Sequence, residues 1–140
     1  MIKAIIIDDE LHCITALRHD IKMFCPEVTM TCSCHSAKEG LLCIKRDHPD
    51  LVFLDVEMPW MNGFEMLEIL DKEINFQIIF TTAYDQFAAK AFRVSAIDYL
   101  LKPIDSNDLI SSVEKAKKAL SDKEGSYKIS NLLQNAKVPF

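Results

Sequence analysis

Five polar residues spread over nearly the whole chain share one local setting. Asp8-Asp9 follow Lys3-Ala4-Ile5-Ile6-Ile7, Asp55 follows Leu51-Val52-Phe53-Leu54, Thr82 ends Phe76–Thr82, and Lys102 follows Ile97-Asp98-Tyr99-Leu100-Leu101. An apolar run of this length, bounded by turn signals, predicts a buried strand with the polar residue at its carboxyl end. If those ends meet, three carboxylates about 4–5 Å apart repel by roughly 3–4 kcal/mol per pair at an effective dielectric near 20. Such a cluster must take up protons or hold a cation. Hard oxygen ligands with room for water suit Mg²⁺. A lysine and a hydroxyl beside it are the groups that stabilise the spread negative charge of a phosphoryl group in transfer. An aspartate between metal and lysine is then a nucleophile that becomes an acyl phosphate. Taken singly each residue is an ordinary cap or surface group; together they are a site.

The elements between them have to bring them together. Leu11, Ile14, Leu17, Ile21 and Phe24 recur at threes and fours and predict a helix ended by Cys25-Pro26. Val28 to Cys34 alternates as a strand. Ser36 is a candidate N-cap for a helix striped by Ala37, Leu41 and Ile44 and closed by Pro49. After the Asn62-Gly63 turn, Phe64, Leu67 and Leu70 mark a third helix. A fourth contains Ala88, Ala91 and Phe92, and a last one from about Ser106 carries Leu109, Val113, Ala116 and Leu120 on its inner face. Five strands alternating with five helices predict a doubly wound α/β domain: a parallel sheet with helices on both faces and all strand carboxyl ends on one edge.

Bulk properties narrow the function. The chain has 140 residues, 49% hydrophobic and 26% charged, which suits one domain with one core. A formal charge of -5 without a basic run argues against this segment gripping nucleic acid by itself. No apolar run reaches the roughly 20 residues that span a bilayer, and Met1–Ile5 enters a strand pattern without a signal-peptide layout, so a cytoplasmic protein is expected. The five cysteines (13, 25, 32, 34, 43) include no Cys-x-x-Cys; Cys32 and Cys34 fall on one strand face, and reduced structural thiols are expected rather than a metal site or disulfide. His12, His19, His35 and His48 lack ligand spacing. Trp60, in the loop after Asp55, is expected to cover the pocket. From Ser121 the composition turns polar and reads as a linker, and Tyr127–Phe140 carries Ile129, Leu132, Leu133 and Val138, too few apolar residues for a core.

Asp8-Asp9, Asp55-x-x-Met58-Pro59-x-Met61-x-Gly63, Thr82-Ala83 and Lys102-Pro103 resemble, in order and spacing, the response-regulator receiver domain of two-component signalling over residues 1 to about 121. The resemblance implies a flavodoxin-like sheet of order 2-1-3-4-5. It implies Asp55 as phosphoacceptor from a sensor histidine kinase, with Mg²⁺ held by Asp9, Asp55 and the backbone carbonyl of Glu57, and by Asp8 through water. It further implies Lys102 on the phosphoryl group, Thr82 and Tyr99 as a switch pair, and a cis Lys102-Pro103 bond; through that switch the phosphorylated chain is expected to form a homodimer or dock an output domain. Phe80–Asp85 and the Ala91-Phe92-x-x-x-Ala96–Ile104 stretch are similar, more narrowly, to receivers of LytTR-type transcription regulators. That similarity implies that 122–140 leads to a DNA-binding output domain absent from this chain. A haloacid-dehalogenase-like phosphatase shares the nucleophilic Asp, Mg²⁺, Thr or Ser and Lys. However, it places its nucleophile on the first strand and its paired acids late, the reverse of the order here.

Overall fold

Five short runs rich in β-branched and aromatic residues form strands: Ile2–Ile7 (β1), Val28–Cys34 (β2), Leu51–Asp55 (β3), Gln77–Thr82 (β4) and Asp98–Leu101 (β5). They alternate with helices Leu11–Phe24 (α1), Ala37–Asp47 (α2), Gly63–Leu70 (α3), Ala88–Arg93 (α4) and Ser106–Asn135 (α5). In this computed structural model the backbone is described for residues 1–135 and side chains for 1–123 apart from Ala89 and Phe92; the sequence reading of Phe92 and of 136–140 lies outside the described residues. All strand pairs are parallel and the order is β2-β1-β3-β4-β5. Among the described residues no helix is long and apolar enough to cross a membrane.

Strand alternation sorts the core into two layers. Ala4, Ile6, Leu51 and Phe53 face Ile14, Leu17 and Ile21 of α1 and Leu109, Val113 and Ala116 of α5. Ile5, Ile7, Val52 and Leu54 face Ala37 and Ile44 of α2, Phe64, Leu67 and Leu70 of α3, and Ala91 of α4. The helical stripes expected from the sequence are therefore buried, except at their ends. Leu11 is 65% exposed and Phe24 44%, because they are the first and last residues of α1 and the buried Cys25 takes over below Phe24. Leu120 is only half-buried.

Caps and turns set the connections. Ser36 accepts the Glu39 amide at 3.2 Å, while the Glu39 carboxylate accepts the His35 amide at 2.7 Å. Asn62 and Glu65 form a reciprocal capping box at the start of α3. Helix α4 is shorter than the pattern suggests and follows a 3-10 turn at Asp85–Phe87. Helix α5 does not end near Leu120 but continues to Asn135. Its polar continuation is rich in Lys, Ser, Leu and Asn, contains no proline, and meets one glycine, Gly125, which costs a helix only about 1 kcal/mol. The turn to polar composition there does not mark the end of the helix.

Two glycines meet very different neighbours. A Cβ on Gly63 would lie 2.6 Å from the carbonyl oxygen of Asp55, whereas one on Gly40 would meet the movable Cδ1 end of Ile7 at 2.5 Å. A side-chain tip gives way; the strand backbone that carries Asp55 does not. Gly63→Ala is therefore expected to cost about 1–3 kcal/mol in urea unfolding, more than Gly40→Ala. Equal costs would contradict the close approach at Asp55.

Candidate functional site

The parallel register brings the strand ends to one edge. Ile7 pairs with Leu54, so Asp8 emerges beside Asp55; Asp55 pairs with Thr81, and Thr82 with Leu101. Backbone bonds pin each end: Asp8 N–H donates to the Cys34 carbonyl, Val56 N–H to that of Thr81, and Lys102 N–H to that of Thr82. The Lys102-Pro103 peptide is cis, as the resemblance implied.

Asp8, Asp9 and Asp55 each offer a carboxylate oxygen within 4.8 Å of the others. Lys102 Nζ lies 2.8 Å from Asp8 Oδ2 and 3.5 Å from Asp55 Oδ2, and both carboxylate side chains are almost fully buried. Asp8 Oδ1 also accepts the Glu10 amide at 2.9 Å. Asp8 and Asp55 thus share one ammonium, with the Asp9 carboxylate close beside them. Burial and then the neighbouring Asp8 carboxylate push the Asp55 carboxyl up to about 8, against the opposing pull of Lys102. For Lys102, burial favours the neutral amine, but Asp8 and Asp55 outweigh it and hold the ammonium well above its usual range. Asp9 Oδ1 is buried without a hydrogen-bond partner. A buried carboxylate oxygen is ordinarily satisfied, so this atom is oriented for something other than a protein donor.

The acids open into a cleft of about 520 Å³, whose walls include Glu57, Pro59, Asn62, Ala83 and Tyr84. The residues expected at the site do not all converge equally. Asp8, Asp9, Asp55 and Lys102 meet. Glu57 lines the cleft with its side chain exposed. Thr82 is buried one step beyond the strand partner of Asp55, and its hydroxyl accepts the Tyr84 amide at 3.1 Å. Tyr99 is half-buried against the layer that contains α3 and α4. Trp60 does not cover the pocket: it is fully exposed, with φ 73°, because the left-handed backbone there turns the loop outward. Two other groupings escaped the sequence reading. Asp98 on β5 accepts from Ser112 and from Lys115 at 3.1 Å, tying β5 to α5. Cys43 joins Cys32 and Cys34; its spacing of three from the buried Gly40 on α2 was the available signal.

Residues 4–114 match the response regulator receiver domain family. The chain belongs to that family. It is 37% identical over 127 residues to the transcriptional regulatory protein BtsR of Escherichia coli, covering 89% of this chain and 52% of the relative. It is likewise 37% identical over 119 residues to the sensory transduction protein LytT of Bacillus anthracis, covering 84% and 48%. The chain therefore spans about half the length of these curated relatives. The receiver domain of AraT, a response regulator from Geobacillus stearothermophilus, superposes with a TM-score of 0.78 at 30% identity, over 88% of this chain and 98% of that one. The names of these relatives agree with the narrower LytTR resemblance, and the family match decides against the phosphatase alternative. Receiver domains are phosphoacceptor signalling modules, and response regulators work with sensor histidine kinases.

The raised Asp55 carboxyl of this receiver has a signed consequence. Between its ordinary value of 3.8 and about 8, the folded chain keeps a proton that the unfolded chain has lost. Bound protons are then more numerous in the folded state, so stability falls as pH rises across that window. In EDTA, Asp55→Asn is expected to be more stable than wild type at pH 8, by on the order of a few kcal/mol, with the difference vanishing toward pH 4. A pH-independent difference, measured by denaturation at each pH, would contradict the burial argument.

Proposed function

We propose that Asp55 accepts a phosphoryl group from the phosphohistidine of a sensor kinase. A carboxylate oxygen of Asp55 attacks phosphorus, the P–N bond to the kinase breaks, and the imidazole nitrogen takes a proton as it leaves. The observation that carries this reading is the charge imbalance of the cleft: three acids, one lysine, and the unpartnered buried oxygen of Asp9. That donor set fits Mg²⁺, with Asp9, Asp55 and the Glu57 carbonyl as ligands and Asp8 acting through water. Bound there, the ion would supply positive charge to the phosphoryl oxygens. Lys102, tethered by Asp8, supplies a second positive charge, and Asp8 keeps its ammonium aimed at Asp55.

The output follows from the added charge and acceptor oxygens. Thr82 exchanges its bond from the Tyr84 amide for one to a phosphoryl oxygen, vacating space into which the half-buried Tyr99 ring turns. The face made by α4, β5 and α5 then changes shape and pairs with a second copy. The relatives' greater length and regulatory names support a DNA-binding output domain beyond residue 140 in the full protein, with 122–140 leading to it.

The test is one experiment with two readouts. Incubated with a small phosphodonor, the chain is expected to gain one phosphoryl mass that requires Mg²⁺, is lost in EDTA, and is absent in Asp55→Ala. With beryllofluoride, wild type is expected to self-associate and Thr82→Ala to do so less. Undiminished labelling of Asp55→Ala would overturn the phosphoacceptor assignment, and equal association in both proteins would remove Thr82 from the relay.

A further inference from the structure

The second concentration of reactive groups lies at the sheet edge, between β2 and α2. It arises from a register shift. Ala4 pairs with Met30 but Ile5 with Cys32, so Thr31 is an extra residue in β2. Before this bulge, Val28 and Met30 face the layer of α1 and α5; after it, Cys32 and Cys34 face α2. Helix α2 presents Cys43 to them from its buried stripe. Cys32 Sγ lies 2.6 Å from Cys43 Sγ and 3.6 Å from Cys34 Sγ.

We propose that Cys32 and Cys43 are a site of reversible oxidation by hydroperoxides, forming a disulfide that ties β2 to α2. Cys32 is the partly exposed member, while Cys34 and Cys43 are buried. Arg46 aims Nη2 at both sulfurs of the pair, 3.5 Å from Cys32 and 3.7 Å from Cys43. An N–H directed at sulfur stabilises the negative charge that a thiol develops as it reacts. The guanidinium is itself held by Asp47, through Nε at 2.7 Å and Nη2 at 3.3 Å. Burial raises Cys34 and Cys43 above the usual thiol range, and the partial exposure of Cys32 makes it the sulfur that a hydroperoxide reaches first. Three sulfurs within 4.8 Å of one another could also ligate a soft metal ion, but the positive charge of Arg46 beside two of them opposes a cation.

The chemistry balances. Cys32 gives up its proton and attacks the distal oxygen of the hydroperoxide; the O–O bond breaks, and the departing alkoxide or hydroxide takes that proton. Cys43 then attacks the sulfur of the resulting sulfenic acid, an S–S bond forms, and hydroxide leaves with the proton of Cys43 as water. A dithiol reverses the reaction and becomes a disulfide itself. Nothing in this site depends on the phosphoryl-transfer reading. It also departs from the expectation of reduced structural thiols, which covered all five cysteines but did not place Cys43 beside Cys32 and Cys34.

The experiment is a non-reducing peptide map of the whole chain after exposure to hydrogen peroxide, with free thiols alkylated before digestion. The expected result is a Cys32–Cys43 linked peptide, reversed by dithiothreitol, with Cys13 and Cys25 alkylated as fully as in the untreated chain. Cys34→Ser should keep the link, Cys43→Ser should lose it, and Arg46→Gln should slow it several-fold, each after circular dichroism shows the native fold. Several results would overturn the proposal even without the variants. These are a Cys32–Cys34 bond, random pairing among the five thiols, five free thiols after treatment, or one equivalent of added zinc held by these thiols so that peroxide leaves them intact.

Discussion

Everything at the working edge of this receiver follows from placing three carboxylates and one ammonium where water is scarce. Asp8 and Asp55 are almost fully buried, and Lys102 lies within 3.5 Å of both. Burial and then the neighbouring Asp8 carboxylate lead Asp55 to keep a proton, and Lys102, which pairs most closely with Asp8, offsets them only in part. Asp9 contributes a buried oxygen with no donor. A site in this condition is short of positive charge, which a divalent cation would supply while lowering the proton affinity of Asp55. On the proposed function, the metal requirement and the reactivity of Asp55 have one electrostatic cause.

The fold's contribution is to make such a cluster tolerable. The central strands β1, β3 and β4 bury most of their side chains on both faces, and that packing, not the site, holds the edge together. Backbone bonds from Asp8 to Cys34, from Val56 to Thr81 and from Lys102 to Thr82 fix strand ends that would otherwise separate to relieve repulsion. Gly63 lets α3 start against the Asp55 carbonyl, so the loop that bounds the cleft is anchored to the strand that carries Asp55. Stability stored in the core holds charges in an arrangement they would not adopt alone.

Much of this was legible in the sequence because its signals are local. Apolar runs ending in Asp8-Asp9, Asp55, Thr82 and Lys102 declare strands and their carboxyl ends, and a parallel sheet gathers those ends without further information. Ser36 and Asn62 declared the starts of α2 and α3 in the same way. What was not legible depends on contacts across the chain. The Thr31 bulge exists because of pairing between β1 and β2, and no pattern within Val28–Cys34 reveals it; without it the meeting of Cys32 with Cys43 is invisible. The outward turn at Trp60 depends on one left-handed residue. The continuation of α5 was masked because polar composition is shared by linkers and solvated helices. Leu11 fits the periodicity of α1 and is still exposed, since periodicity marks a face but not where the underlying sheet stops.

The central claim is that a shortage of positive charge governs Asp55, and its carboxyl carbon reports on that directly. Carbon-13 NMR of the chain labelled at aspartate side chains, titrated over pH in EDTA and again in saturating Mg²⁺, isolates the effect. The account predicts that Asp55 titrates near 8 without metal and moves far down when Mg²⁺ is added. An Asp55 that titrates near 3.8 in EDTA, or one that Mg²⁺ leaves unmoved, would contradict it.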